Sequence, residues 1–275
     1  MKLFCCSDLH SFFTPFKKAL DEAGFEPGNA EHLLIVCGDV FDRGNESIEM
    51  YEFLNNLTNV ILVRGNHEDL LVEMLDRGYG ERHDSSNGTI STVVDLVGLT
   101  GRTPSSAKEC CEAVKEFITP FLAKFKNYFE TKNYVFVHGW IPCDKYTMLA
   151  QPWYQNGRKF EYRADWRDCN DVEWEAARWI NGISAGYVNK IVEPGKTIVC
   201  GHWHCSYGHH VRSIKKAIAE DTDIEIEEFG PTSVWEPFKE DGILAIDRCT
   251  AHTGAVNVVV LEDELLEKTV YNPTA

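Results

Sequence analysis

The 275-residue sequence has no apolar run approaching the ~18 residues that a membrane-spanning helix needs. Its first apolar stretch, Leu3-Phe4-Cys5-Cys6, is also too short for the hydrophobic part of a secretory signal. There are ten cysteines but no Cys-x-x-Cys pair, which argues against a thiolate zinc site. Spread this widely, with no secretory signal, they predict free thiols in a reducing cytoplasm, most of them small buried hydrophobes. Positive charge is scarce: Lys+Arg 27 against Asp+Glu 43 gives −16. That balance excludes a long nucleic-acid track or broad binding to anionic membranes. It leaves phosphate substrates open, because bound cations reverse the local sign. Internal repeats and linker-like stretches are lacking, so one domain over residues 1–275 is the simplest organisation. The composition is that of an ordinary globular chain, 44% apolar and 25% charged.

Continuous apolar runs alternate with helical segments through the first 75 or so residues. Leu3–Cys6, His32–Cys37 and Asn59–Val63 read as strands buried on both faces. Helices are expected from Thr14-Pro15 to Gly24, from Asn45 to about Leu57, and from Glu68 to Arg77 with Gly78 as the stop. Residues 79–131 change character: a polar, Gly-containing start, then a helical stretch over Ser105–Phe129 broken near Thr119-Pro120. This segment is expected to be a helical insertion or cap. Strands return at Asn133–Val137 and Thr197–Cys200, with a helix between them from about Asp171 to Ile180. Asn170 and Glu173 have capping-box spacing for that helix, and Asn181-Gly182 would end it. The last part reads as antiparallel strands at Ile224–Phe229, Ile243–Asp247 and Val256–Leu261.

Five of the strand runs end in residue types that bind metals. The first leads into Asp8-Leu9-His10 and the second into Gly38-Asp39-Val40-Phe41-Asp42-Arg43-Gly44. The third leads into Gly65-Asn66-His67-Glu68, the fourth into His138-Gly139, and the fifth into Gly201-His202-Trp203-His204. In open α/β sheets, ligands bind beyond the carboxyl ends of the strands, so five strand ends would deliver carboxylate, amide and imidazole groups to one crevice. Mixed oxygen and imidazole ligation suits manganese, iron or zinc better than calcium. Two such ions about 3.5–4 Å apart clamp a phosphoryl group and stabilise both attacking and leaving oxygens.

The set of motifs, in this order, resembles the calcineurin-like metallophosphoesterase superfamily, over residues 8–204. Gly38–Gly44 and Gly65–Glu68 look most like its phosphoprotein-phosphatase and dinucleoside-tetraphosphatase branch. The resemblance implies an α/β fold of two packed mixed sheets flanked by helices, with the metals at one edge. It implies a binuclear centre of two divalent cations, manganese foremost and iron or zinc as alternatives. Asp39 would bridge them; Asp8, His10 and His204 would complete one, and Asn66, His138 and His202 the other. A hydroxide shared by the ions would attack phosphorus. His67 would be the general acid, oriented and charged by Asp42, and Arg43 would hold phosphate oxygens.

The expected activity is hydrolysis of phosphate esters in the manner of a serine/threonine phosphatase, on a phosphorylated small molecule, nucleotide or phosphoprotein. The alternatives are symmetrical cleavage of a dinucleoside polyphosphate and, from another class, a non-catalytic metal-binding scaffold. Retention of His67 with Asp42 argues against the scaffold. The pattern departs from the family at Ser11, where glycine is common, and keeps His204, which the phosphoprotein-phosphatase branch often lacks.

Trp140, Trp153, Trp166, Trp174, Trp179 and Trp203 lie close together in the sequence, and Trp140 and Trp203 flank metal motifs. Indoles there either wall the site, to stack on a base or phenyl group, or pack in the core. Arg178, on the same helical face as Trp174, is a candidate second phosphate clamp or else a salt-bridged arginine. His209-His210 follow a ligand set that is already full. The acidic run 220–228 reads as a solvated face, with an edge strand from Asp223 protected by charge.

Overall fold

The computed structural model describes residues 1–147 and 158–266. The elements run β1 (Lys2–Cys6), α1 (Phe13–Glu22), β2 (His32–Cys37), α2 (Ser47–Asn56), β3 (Val60–Val63), α3 (Asn66–Arg77), α4 (Arg82–Asn87), α5 (Thr89–Val97) and α6 (Ala107–Leu122). The second half carries β4 (Phe129–Glu130), β5 (Tyr134–Phe136), β6 (Asp144–Thr147), β7 (Arg158–Glu161), α7 (Asp171–Arg178), β8 (Thr197–Cys200), α8 (Cys205–Glu220), β9 (Phe238–Glu240), β10 (Ile243–Ala245), α9 (Thr250–Thr253) and β11 (Val259–Glu262). One sheet has the order β11-β1-β2-β3, the second β4-β5-β8-β10-β9, and β6-β7 form a separate ribbon. Both large sheets are mixed. Strands β1, β2 and β3 are mutually parallel with β11 antiparallel at the edge, and β5, β8 and β10 are parallel with β4 and β9 antiparallel outside them.

The apolar strand runs are buried on both faces, and the period of two in a strand sends alternate residues to different layers. Leu3, Cys5, Leu33, Ile35, Cys37, Ile61 and Val63 meet Phe129, Phe136, Val199 and Leu244 between the two sheets. Phe4, Cys6, Leu34, Val36 and Leu62 point the other way, onto a core built with Phe16, Leu20, Met50, Leu71, Leu96, Val114 and Phe121 from the helices. Val135, Ile198, Cys200, Ile243 and Ala245 pack with Trp174, Ala177 and Cys205 beyond the second sheet. The result is the layer order helix, sheet, sheet, helix expected from the sequence.

Three sequence expectations are corrected. Ile224–Phe229 is not a strand. Its backbone is satisfied by helix α8 instead: the Glu225 and Ile226 amides donate to Ser213 Oγ at 3.0 and 3.1 Å, and Ile226 O lies 2.7 Å from His210 Nδ1. Thr119-Pro120 does not break α6, which continues to Leu122. Pro120 and Glu116, whose carbonyl loses its helical partner to the proline, both face solvent, where water replaces the missing donor. The expected helical reach to Phe129 ends early because Phe129 and Glu130 pair with β5. Helix α8 was not anticipated from the sequence; six of its residues, including His209, are buried. The Asn170 cap is as expected, with Oδ1 accepting from Val172 and Glu173 amides and Glu173 closing the box. All ten cysteines are free, and no helix among the described residues is long and apolar enough to cross a membrane.

Candidate metal centre

The parallel strands of both sheets end at the same edge, and the loops that leave them line a cleft of about 280 Å³. Asp8, His10, Asp39, Arg43, Asn66, His67, His202, His204 and Asp247 are in its wall. The loops are tightly wound. Eight of the ten left-handed non-glycine residues among those described lie here (Asp8, His10, Ser11, Asp39, Asp42, Arg43, His202 and Cys249). Such backbones cost energy and persist where the surroundings force them, as they do at functional sites. Gly38, at φ +82°, is required twice over: a Cβ there would sit 2.5 Å from His138 Nδ1. Glu68, fully buried, ties the loops together. Its carboxylate accepts from the amides of Asp39 (3.0 Å), Val40 (2.8 Å) and Gly65 (2.7 Å). Burial, and then the charge of Asp39, push its pKa up to about 7.

Asp39 stands at the centre. Its Oδ1 is 3.3 Å from His138 Nε2, and its Oδ2 is 3.8 Å from His10 Nε2 and 3.9 Å from His67 Nε2. Two groups of potential ligand atoms therefore share it, His10–Asp39–His67 and Asp39–His138–His202. Burial alone would raise the pKa of Asp39, but His138, His67, His10 and His202 together outweigh it and hold the carboxyl well below its ordinary value.

The imidazole tautomers fit a cation. His138 Nδ1 is 2.8 Å from the carbonyl of Cys37, and His10 Nδ1 is 3.0 Å from that of Phe41. A carbonyl only accepts, so each Nδ1 carries the proton and donates it. Each Nε2 is thereby the nitrogen turned inward. At His138 it lies 2.8 Å from Asn66 Oδ1 and 3.3 Å from Asp39 Oδ1, so a cation bound there would find all three donors together. Burial lowers the pKa of His10, and burial followed by His138 lowers that of His202 to about 3, so both rings are neutral lone-pair donors. Asp8 accepts the His202 amide at Oδ2, 2.9 Å. Asp8 and Asp247 are both buried, and burial and neighbouring carboxylates raise the pKa of each. Three buried carboxylates, with Arg43 as the only Lys or Arg in the cleft wall among the described residues, form a donor set suited to divalent metal.

His67 differs from the other rings. Its Nδ1 is 2.8 Å from Asp42 Oδ2, and its Nε2 is 3.2 Å from Arg43 Nη2. Burial would lower its pKa, but Asp39 and the hydrogen bond and charge of Asp42 overcome this and raise it. Asp42 in turn accepts from Thr89 Oγ1 at 2.7 Å and Thr92 Oγ1 at 2.8 Å, both on α5.

His204 is in the outer wall but belongs to neither group around Asp39. It starts α8, its Nε2 is 3.2 Å from Glu228 Oε1, and its ring packs against Phe229 and Trp235. The segment that failed to become an edge strand supplies these partners. Arg178 is outside the cleft wall, buried, with Nη1 2.8 Å from Asp69 Oδ2 and Nη2 2.7 Å from Asn127 Oδ1. It braces α3 from behind. His209 and His210 bond backbone carbonyls, as expected of residues outside the ligand set.

Of the tryptophans, Trp140, Trp166 and Trp174 are core, Trp179 and Trp203 line the cleft, and Trp153 lies outside the described residues. Sequence reasoning missed Asp247, Cys249 and Asn87 in the wall. Asp247 had a signal: it ends the Ile243–Asp247 run, as Asp8 and Asp39 follow theirs.

The model of the calcineurin-like phosphoesterase family matches residues 1–206. Among curated proteins, the symmetrical bis(5'-nucleosyl)-tetraphosphatase of Thioalkalivibrio sulfidiphilus is 38% identical over 69 residues, 25% of each chain. That of Aromatoleum aromaticum is 31% identical over 88 residues, 31% of this chain and 32% of its own. The matches thus span about a quarter to a third of those relatives. A solved structure of a cold-active protein tyrosine phosphatase mutant is 14% identical, with a TM-score of 0.49, covering 95% of this chain and 75% of that one. With a family match over three-quarters of its length and a cleft lined by clustered potential metal ligands, the chain belongs to the calcineurin-like phosphoesterases.

Proposed function

We propose that the protein is a two-cation phosphoesterase that cleaves a phosphate ester by direct attack of water, without a phosphorylated enzyme. The observation that carries this reading is Asp39, one carboxylate shared by imidazoles on its two oxygens. Asp8 and His10 would hold one cation, and Asn66, His138 and His202 the other, with Asp39 between them. Manganese is the first candidate, followed by iron or zinc. When bound, the pair supplies Lewis acidity toward phosphoryl oxygens and lowers the pKa of water in the cleft.

The remaining chemistry belongs to the chain. Arg43 binds phosphate oxygens through its fork of N–H donors. In the free protein one of those donors faces His67 Nε2, and an arriving phosphate takes it, leaving Nε2 to carry a proton. Water adds to phosphorus, the bond to the leaving oxygen breaks, and that oxygen receives the proton of Nε2. Asp42 keeps the other nitrogen occupied and the ring turned toward the cleft. His67 also sits within reach of a cation shared with His10 and Asp39. Its contact with a guanidinium favours the acid role, because a nitrogen beside a positive charge is better placed for phosphate than for a second cation.

A second reading uses the same residues on a dinucleoside tetraphosphate, and the names of the curated relatives favour it. The ten free cysteines support a reducing compartment, the cytoplasm. Elemental analysis of protein purified without added metal, with turnover of p-nitrophenyl phosphate, a phosphopeptide and diadenosine tetraphosphate, tests both readings. The first expects about two cations per chain and turnover of the monoesters. Tetraphosphate turnover larger by several orders of magnitude selects the second. Two bound cations with no turnover of any of the three would leave a scaffold and end both.

A further inference from the structure

Trp179 and Trp203 come from different elements, the end of α7 and the loop after β8, yet both stand at the cleft. Trp179 is 48% exposed and Trp203 38%, whereas Trp140, Trp166 and Trp174 are almost wholly buried. Each presents its ring edgewise or tilted to His202, with centroids 5.9 and 6.1 Å away. The two indoles therefore flank one imidazole of the group around Asp39. Trp203 is held in turn against Tyr207, 5.9 Å between centroids. An exposed indole forfeits the burial that favours tryptophan inside proteins. Two of them, beside a wall otherwise made mostly of carboxylates, imidazoles and Arg43, are a surface with an apolar, planar complement.

We propose that Trp179 and Trp203 form a subsite for the planar base of a nucleotide whose phosphate lies at Arg43 and Asp39. The inference rests on the phosphoesterase reading above and names its substrate class. A neutral base suits the position: it brings π surface and no charge into a cleft already rich in carboxylate, and stacking is available to every base. The cleft, at about 280 Å³, is near the lower end of small-ligand sites and of a size for one nucleotide unit. A phosphorylated serine or glycerol has nothing to lay on either ring.

The test compares kcat/KM for diadenosine tetraphosphate and for glycerol phosphate in the wild type, Trp179→Ala, Trp203→Ala and Trp179→Phe. The expected result is a loss of roughly 5- to 100-fold on the nucleotide in each alanine variant. That loss should exceed the loss on glycerol phosphate by at least about tenfold in one variant or both, with phenylalanine restoring most of it. A parallel titration of tryptophan fluorescence should show quenching by AMP and not by inorganic phosphate, with the response reduced in each alanine variant. Equal losses on both substrates, or quenching that survives both substitutions, overturn the subsite while leaving the phosphoesterase reading intact. A wild type that hydrolyses neither substrate overturns that reading, and the AMP titration still decides the fate of the indoles.

Discussion

His67 Nδ1 and Asp42 Oδ2 lie 2.8 Å apart with both side chains buried, and Thr89 and Thr92 also donate to that carboxylate. The ring is thereby fixed at one nitrogen and offered to the cleft by the other. Because both threonines belong to α5, the helical stretch after α3 reaches the catalytic machinery we propose.

Replacing His67 with asparagine should leave metal content intact and slow turnover by roughly 10²- to 10⁴-fold. The loss should be larger for an alkyl phosphate than for p-nitrophenyl phosphate, whose leaving group needs little protonation. Equal losses on the two would refute the general-acid role.

The pH profile has a defined sign. Asp39 and Asp42 raise the pKa of His67 above 6.5 despite burial. If the acid must be protonated, kcat on an alkyl phosphate holds at low pH and falls as pH rises through that raised value. Asp42→Asn removes two of the raising influences, so the alkaline limb should move to lower pH. A limb at the same pH in wild type and variant would show that another group controls it.

Thr92→Val deprives the buried Asp42 carboxylate of one donor and should cost about 1–3 kcal/mol of stability. It should also lower kcat and shift the same alkaline limb, which a purely structural threonine would not do. Thr92→Ser keeps the hydroxyl and should restore the profile. Thermal unfolding and the pH–rate curve of the three proteins check both parts.

Asp39→Asn should lower the occupancy of both cations together, because each depends on the same carboxylate. Elemental analysis that still finds two ions per chain would remove Asp39 from the bridging position.

Much of this was legible in the sequence because each piece carries its own local signal. Apolar strand runs followed at once by Asp8, Asp39, Asn66, His138 and His202 announce the strand ends, and parallel strands have all their carboxyl ends on one side. Asn170 with Glu173 specifies a helix start over four residues. The failures share a cause. Ile224–Phe229 alternates like an edge strand, but Ser213 and His210 on α8 supply its hydrogen bonds, and no local pattern records that. Nor does a local pattern record that the His204 ring, in the cleft wall, also meets Glu228 and Phe229. Arg178 has a reach and a charge suited to phosphate, and Asp69 and Asn127 engage it instead.

By itself the sequence determined the layered α/β architecture and the residue types at the sheet edge, since burial periodicity and strand-end chemistry are properties of short segments. Only the tertiary structure decided which nitrogen of each imidazole faces Asp39, which carboxylates crowd it, and which two tryptophans open onto the cleft. Those outcomes depend on carbonyls, hydroxyls and side chains tens to hundreds of residues away, brought into contact by packing that no single segment encodes.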